Sequence, residues 1–67
     1  MRFQLHEVQK DGSIWHSDEM NADAGEREVI QRVIAGYSGK PRWATATDQP
    51  EWFCGVNAKG QLVSTPF

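Results

Sequence analysis

The chain has a single cysteine, Cys54, among its 67 residues, so no disulfide can form within it. Small domains commonly rely on such a staple, on a metal or on association, because a chain of this size buries only about 60% of the surface its unfolded form exposes. A lone free thiol suits a reducing compartment. Metal ligands are as scarce. His6, His16, Cys54 and scattered acids do not supply the clustered set a structural zinc needs, and no metal or cofactor is expected. Long apolar runs are missing too. No stretch approaches the ~20 residues of a membrane span. The opening Met1-Arg2-Phe3-Gln4-Leu5-His6-Glu7 holds no apolar core of signal-peptide length. These absences predict a cytoplasmic protein without membrane contact.

Excess charge of one sign is absent. Seven Lys and Arg against nine Asp and Glu leave a net charge of −2. That balance disfavours sequence-independent nucleic-acid binding, which depends on clustered positive charge. It is also too small to mark an acidic nucleic-acid mimic. Catalytic signatures are missing as well. Gly36, Gly39, Gly55 and Gly60 do not form a phosphate-binding loop, and their expected roles are helix termination, close strand contact and a turn. Asp18, Glu19, Asp23, Glu26 and Glu28 lack the spacing of a calcium loop and read as acids favoured at a helix N-terminus. A Cys–His nucleophile would need Cys54 beside a histidine oriented by a third group, and nothing in sequence joins them. No catalytic residue is assigned and no enzyme is expected.

What remains is a pattern of short strands around one helix. Phe3 and Leu5 alternate with polar residues, and Asp11-Gly12 is a strong hairpin signal. A two-residue Asp11-Gly12 loop sets Gln9 against Ile14, Glu7 against His16, Leu5 against Asp18 and Phe3 against Met20. Phe3, Leu5, Ile14 and Met20 then share one side, with Val8 and Trp15 on the other. A one-residue slip would exchange the faces.

Asp23 and Glu26 have capping-box spacing, so a helix is predicted to begin near Asp23. Val29, Ile30, Val33, Ile34 and Tyr37 form its apolar stripe, and Glu28–Arg32 is a favourable i,i+4 pair. Gly36 or Gly39 is expected to take the left-handed position after it, and Pro41 to prevent continuation. Arg42 to Thr47 reads as a strand with Trp43, Thr45 and Thr47 on one face. Ala44 and Ala46 on the other are small enough to lie under the helix. A turn over Asp48-Gln49-Pro50-Glu51, a strand from Trp52 to Val56, a type I turn closed by Gly60 and a strand from Gln61 to Thr65 follow, with Pro66 ending the pairing. The result is one α+β domain over residues 1–67: a small antiparallel sheet of about five strands, order β-β-α-β-β-β, with one helix packed on one face. There is no internal repeat, low-complexity tract or long linker.

One helix covers one face of a sheet, so the other face is left for water, a second copy or a partner. Trp15, on the face predicted to lack helix cover, is the expected apolar anchor for a protein partner. Arg32, Lys40 and Arg42, near the helix exit, are the expected basic patch, steering or hydrogen-bonding the same partner. Two other readings are a nucleic-acid-binding module that stacks bases on aromatic residues of the sheet, and a homodimer in which two exposed sheet faces meet.

The layout also resembles a family. The strand end Glu7-Val8-Gln9 and the hairpin from Trp52-Phe53-Cys54-Gly55-Val56 to Lys59-Gly60, in a β-hairpin, helix, β-meander order, resemble small phage-encoded inhibitors of the type I-F CRISPR–Cas surveillance complex. This chain departs from them in a helix richer in β-branched residues and a more acidic balance, which speaks against competition for a nucleic-acid path. The resemblance implies a stoichiometric blocker without enzymatic activity, acting in the host cytoplasm and binding a Cas subunit through surface side chains.

Overall fold

In the computed structural model, which describes residues 1–49 and 51–65, the chain runs through β1 (Arg2–Val8), β2 (Ile14–His16), β3 (Met20–Asn21), α1 (Glu26–Ala35), β4 (Arg42–Ala46), β5 (Phe53–Val56) and β6 (Leu62–Ser64). Pro50 of the expected turn and Pro66, expected to end the pairing, lie outside the described residues. The fold is α+β, one helix on a six-strand antiparallel sheet of order β2-β1-β4-β5-β6, with β3 also paired to β1. The expected second strand is divided in two, which accounts for the added element.

The division has a local cause. His6 pairs with His16 and Phe3 with Met20. Three steps along β1 therefore match four along the returning chain, and one residue is extra, as in a β-bulge. Ser17 absorbs it: its N–H donates to the Leu5 carbonyl at 2.9 Å, and its hydroxyl accepts from the Leu5 N–H at 2.8 Å. The side-chain oxygen stands where a backbone carbonyl would be in a regular ladder.

The first hairpin corrects the expected register. The Gly12 N–H donates to Gln9 O and the Gln9 N–H to Ser13 O, so the loop has three residues, Lys10-Asp11-Gly12, with Gly12 at φ 86°. This is a type I turn completed by a left-handed glycine. Asp11 Oδ1 accepts from both the backbone N–H and the hydroxyl of Ser13, which fixes the loop. The pairs become Glu7 with Trp15 and Val8 with Ile14. Ile14 and His16 therefore move to the side opposite Phe3 and Leu5, while Trp15 joins the side of Phe3 and Leu5.

The helix starts at Glu26, later than expected. Asp23 does not cap it; its carboxylate accepts from the Asn21 side chain, and Gly25 at φ 72° occupies the N-cap without a side-chain bond. Glu28 reaches back to the Ala24 N–H at 3.4 Å, a weak closure of the same turn. Val29 and Val33 are fully buried, with Ile30 and Tyr37 packed at the rim. Ile34 is exposed, because at about 100° per residue it falls beyond the arc spanned by Val29, Val33 and Ile30. Gly36 closes the helix at φ −92°, so the left-handed residue after it is Gly39 at φ 94°.

Helix α1 lies over β4 and β5. Ala44 and Ala46 are buried beneath it as expected, beside Phe3, Leu5, Cys54, Val56 and Trp52. Alternation along each strand puts these residues on one side of the sheet. The Tyr37 hydroxyl donates to Ala58 O at 3.1 Å, tying the segment after the helix to the β5–β6 turn. In that turn the Gly60 N–H donates to Asn57 O with Gly60 at φ 81°, the type I turn and left-handed glycine expected there.

Candidate functional site

The helix occupies one side of the sheet, and the opposite side carries a row of residues in register across five strands. His16 pairs with His6, His6 with Trp43, Trp43 with Gly55, and Gly55 with Val63. Val8 and Ile14 flank the row at one end, and Gln4, Thr45 and Phe53 flank it on the other.

The centre of this face is ordered by its own contacts. The His6 and Trp43 rings stack, with centroids 5.3 Å apart and planes at 22°. His6 is buried at 8% exposure although its side chain belongs to the uncovered side, because Trp43 and His16 enclose it. Both of its ring nitrogens are engaged: Nδ1 meets His16 Nδ1 at 2.7 Å, and Nε2 meets Thr45 Oγ1 at 2.8 Å. One of the two facing Nδ1 atoms carries the proton and the other accepts it. Two neutral imidazoles satisfy this chain of bonds in either direction, with Thr45 donating or accepting at the far end. Burial, and then the neighbouring His16, hold the His6 pKa below its ordinary 6.5.

Gly55 permits the close approach of β5 at this row. A β-carbon there would stand 2.7 Å from Trp43 Cβ and 3.1 Å from the Arg42 carbonyl oxygen. Around this centre Ile14, Phe53 and Val63 are exposed apolar side chains. None of the residues from Gln4 to Val8, Ile14 to His16, Trp43 to Thr45, Phe53 to Gly55 or at Val63 that face this side is Asp, Glu, Lys or Arg. Arg2 stands at the margin, paired with Glu19 at 2.5 Å.

The residues expected at a binding site are placed differently. Trp15 is exposed at 44%, but on the side that carries the helix. Its exposure comes from its place on the outer strand β2, away from β4 and β5 that carry α1, and not from membership of the uncovered face. Glu7 lies between Trp15 and Arg42 in one cross-strand row. The Arg42 guanidinium forms an ion pair with the Glu7 carboxylate at 3.6 Å, with both side chains mostly buried, and rests against Gly36. Arg32 stands near Glu28 at 3.9 Å on the exposed helix side, and Lys40 is half-buried between α1 and β4 in sequence. Arg42 is thus engaged within the chain, and the expected basic patch is not a cluster of free cations.

The expected pairing of His16 with Glu7 is replaced by His16 with His6. Cys54 sits on the helix side of the sheet and the histidines on the other, so the sheet itself separates thiol from imidazole. Burial raises the Cys54 pKa to about 11, leaving a protonated thiol at neutral pH. Among the described residues no three His, Cys, Asp or Glu side chains converge as metal ligands. No helix among them is long and apolar enough to cross a membrane.

Fold and face together define a small α+β domain with a one-sided antiparallel sheet and an uncharged aromatic centre on its bare side. No family model, no curated protein and no solved structure matches the chain.

Proposed function

We propose that this chain is a small non-catalytic protein-binding module that docks a partner through the uncovered face of its sheet. The observation that carries the reading is the His16–His6–Trp43 row, apolar at its rim, free of formal charge at its centre and held in place before any partner arrives. Aromatic side chains already fixed by their neighbours lose little freedom on binding and are typical anchors of protein interfaces. Exposed Ile14, Phe53 and Val63 add apolar area around them. The same absence of Lys and Arg argues against the nucleic-acid alternative, since stacking platforms for single strands lie in positive grooves.

Exposed Trp15 supports a second, smaller contact around the β2 edge, with Arg32 and Lys40 as steering cations elsewhere on the chain. Inhibition of a CRISPR–Cas surveillance complex is the particular form of the docking reading that the strand-and-helix order suggests. In that form the chain is a stoichiometric blocker of a Cas subunit.

The test compares the native chain with Phe53→Lys and Ile14→Lys, which charge the uncovered face, and with Trp15→Ala. Each is mixed with purified type I-F surveillance complex and with host extract, and captured proteins are identified by mass. A partner held by the native chain and by Trp15→Ala, but released at least tenfold by Phe53→Lys, supports the face. A partner lost on Trp15→Ala and retained by both lysine variants moves the contact to the β2 edge and overturns the face.

A further inference from the structure

The two edges of the sheet are built differently. The β2 edge is three residues long, then interrupted by the Ser17 bulge and followed by Asp18 and Glu19. Bulges and charges of this kind blunt an edge against further pairing. The β6 edge has neither. From Gln61 to Thr65 the sequence is Gln-Leu-Val-Ser-Thr, without a charge, and Leu62 and Val63 are 50% and 47% exposed.

The hydrogen bonds of β6 show which of its backbone groups are free. The Asn57 N–H donates to Gln61 O and the Thr65 N–H to Phe53 O. In an antiparallel ladder such bonded positions alternate, so Gln61, Val63 and Thr65 turn their backbone groups inward to β5. The N–H and C=O of Leu62 and Ser64 therefore point outward from the sheet.

We propose that this edge pairs with the β6 edge of a second copy of the chain, antiparallel about a twofold axis through Val63. The spacing is self-complementary. Leu62 of one copy meets Ser64 of the other as a hydrogen-bonded pair, and the axis repeats that pair, giving four backbone bonds. Val63 then faces Val63 of the partner subunit at the closer, non-bonded position, on the uncovered side. The segment carries no charge, so the net charge of −2 on each copy places no like charges across the seam. Joining like edges closes the assembly at two copies, whereas joining β6 to the blunted β2 edge would propagate without end. The contact is small, so the dimer forms as concentration rises through the micromolar range, as for weak interfaces below about 1,200 Å². The inference does not rest on the docking reading, but it would fuse the uncovered faces of two copies into one.

Sedimentation of the full chain from micromolar to millimolar concentration tests it. The expected result is a shift from 7.6 kDa to twice that mass, with amide exchange at Leu62 and Ser64 slowing as the mass rises. Val63→Lys sets two ammonium groups against each other and should hold the chain monomeric. Ser64→Pro removes an outward N–H while sparing every bond to β5, and should do the same with the circular dichroism spectrum retained. Ile14→Lys, at the far side of the sheet, should leave the dimer intact. A chain that stays monomeric at millimolar concentration overturns the proposal. So does a dimer that survives Ser64→Pro, or one abolished by Ile14→Lys, which would place the contact face to face.

Discussion

His6 Nδ1 and His16 Nδ1 stand 2.7 Å apart across the first hairpin, a separation that holds one proton and not two. His6 is surrounded by His16 from β2 and by Trp43 and Thr45 from β4, while Glu7 and Arg42 lie through the sheet on the other side. The His6 pKa is lowered in the folded chain, so between that value and 6.5 the unfolded chain binds the extra proton. The stabilisation is complete above 6.5 and is lost as pH falls towards the folded value. Thermal melts between pH 7.5 and 5 should show Tm falling with pH, and His6→Gln should flatten that slope. A native Tm independent of pH across this window would contradict the arrangement.

Gly55→Ala should destabilise the fold by about 1–3 kcal/mol, as overpacking does. The new methyl would press on Trp43 Cβ and on the β4 backbone, neither of which is a flexible end. Urea titration followed by tryptophan fluorescence measures the loss. An alanine variant as stable as the native chain would show that β4 and β5 separate freely at this row.

The Arg42 guanidinium is held between Glu7 and Gly36, and its Nε is buried without a hydrogen-bond partner among the described residues. Glu7→Gln removes the counter-charge from a mostly buried cation and should cost about 1–3 kcal/mol, less than a fully buried pair. Arg42→Met, which keeps the length and removes the charge, should recover much of that loss in the Glu7→Gln background. Additive losses in the double variant would mean the two side chains do not act together.

Cys54 is fully buried and its thiol is pushed up to about 11. Reaction with an aromatic disulfide reagent at pH 7.5 should be slower than that of the unfolded chain by at least a hundredfold, limited by opening of the structure. In 6 M guanidinium chloride it should be immediate. Rapid labelling of the folded chain would place the thiol at the surface.

How far these relationships could be read beforehand depended on how local they are. Ala44 and Ala46 under the helix and the Gly60 turn follow from alternation and turn chemistry within short stretches. The first hairpin was harder because Asp-Gly fits both a two-residue loop and the last two places of a three-residue one. Ser13, by donating twice to Asp11, selects the longer loop and moves every residue of β2 to the other face. The Ser17 bulge, which takes the place expected of Asp18 opposite Leu5, then restores the pairing at Phe3, so the departure from the expected register runs from Ile14 to Asp18. Asp23 has the spacing of a cap, but the turn before the helix brings Gly25 to that place instead. The face itself was not legible. It depends on His6 meeting Trp43, and that contact exists only once the chain's first strand lies beside its fourth.

The same β1–β4 seam governs how the chain is made. The β1–β2 hairpin can close locally before β4, its central neighbour, joins it, so Phe3 and Leu5 wait without the alanines that later lie beside them. The helix has no footing until β4 and β5 have paired. Native structure is therefore completed in a late step that closes contacts far apart in sequence, and a chain caught before it carries an apolar hairpin side open to other chains.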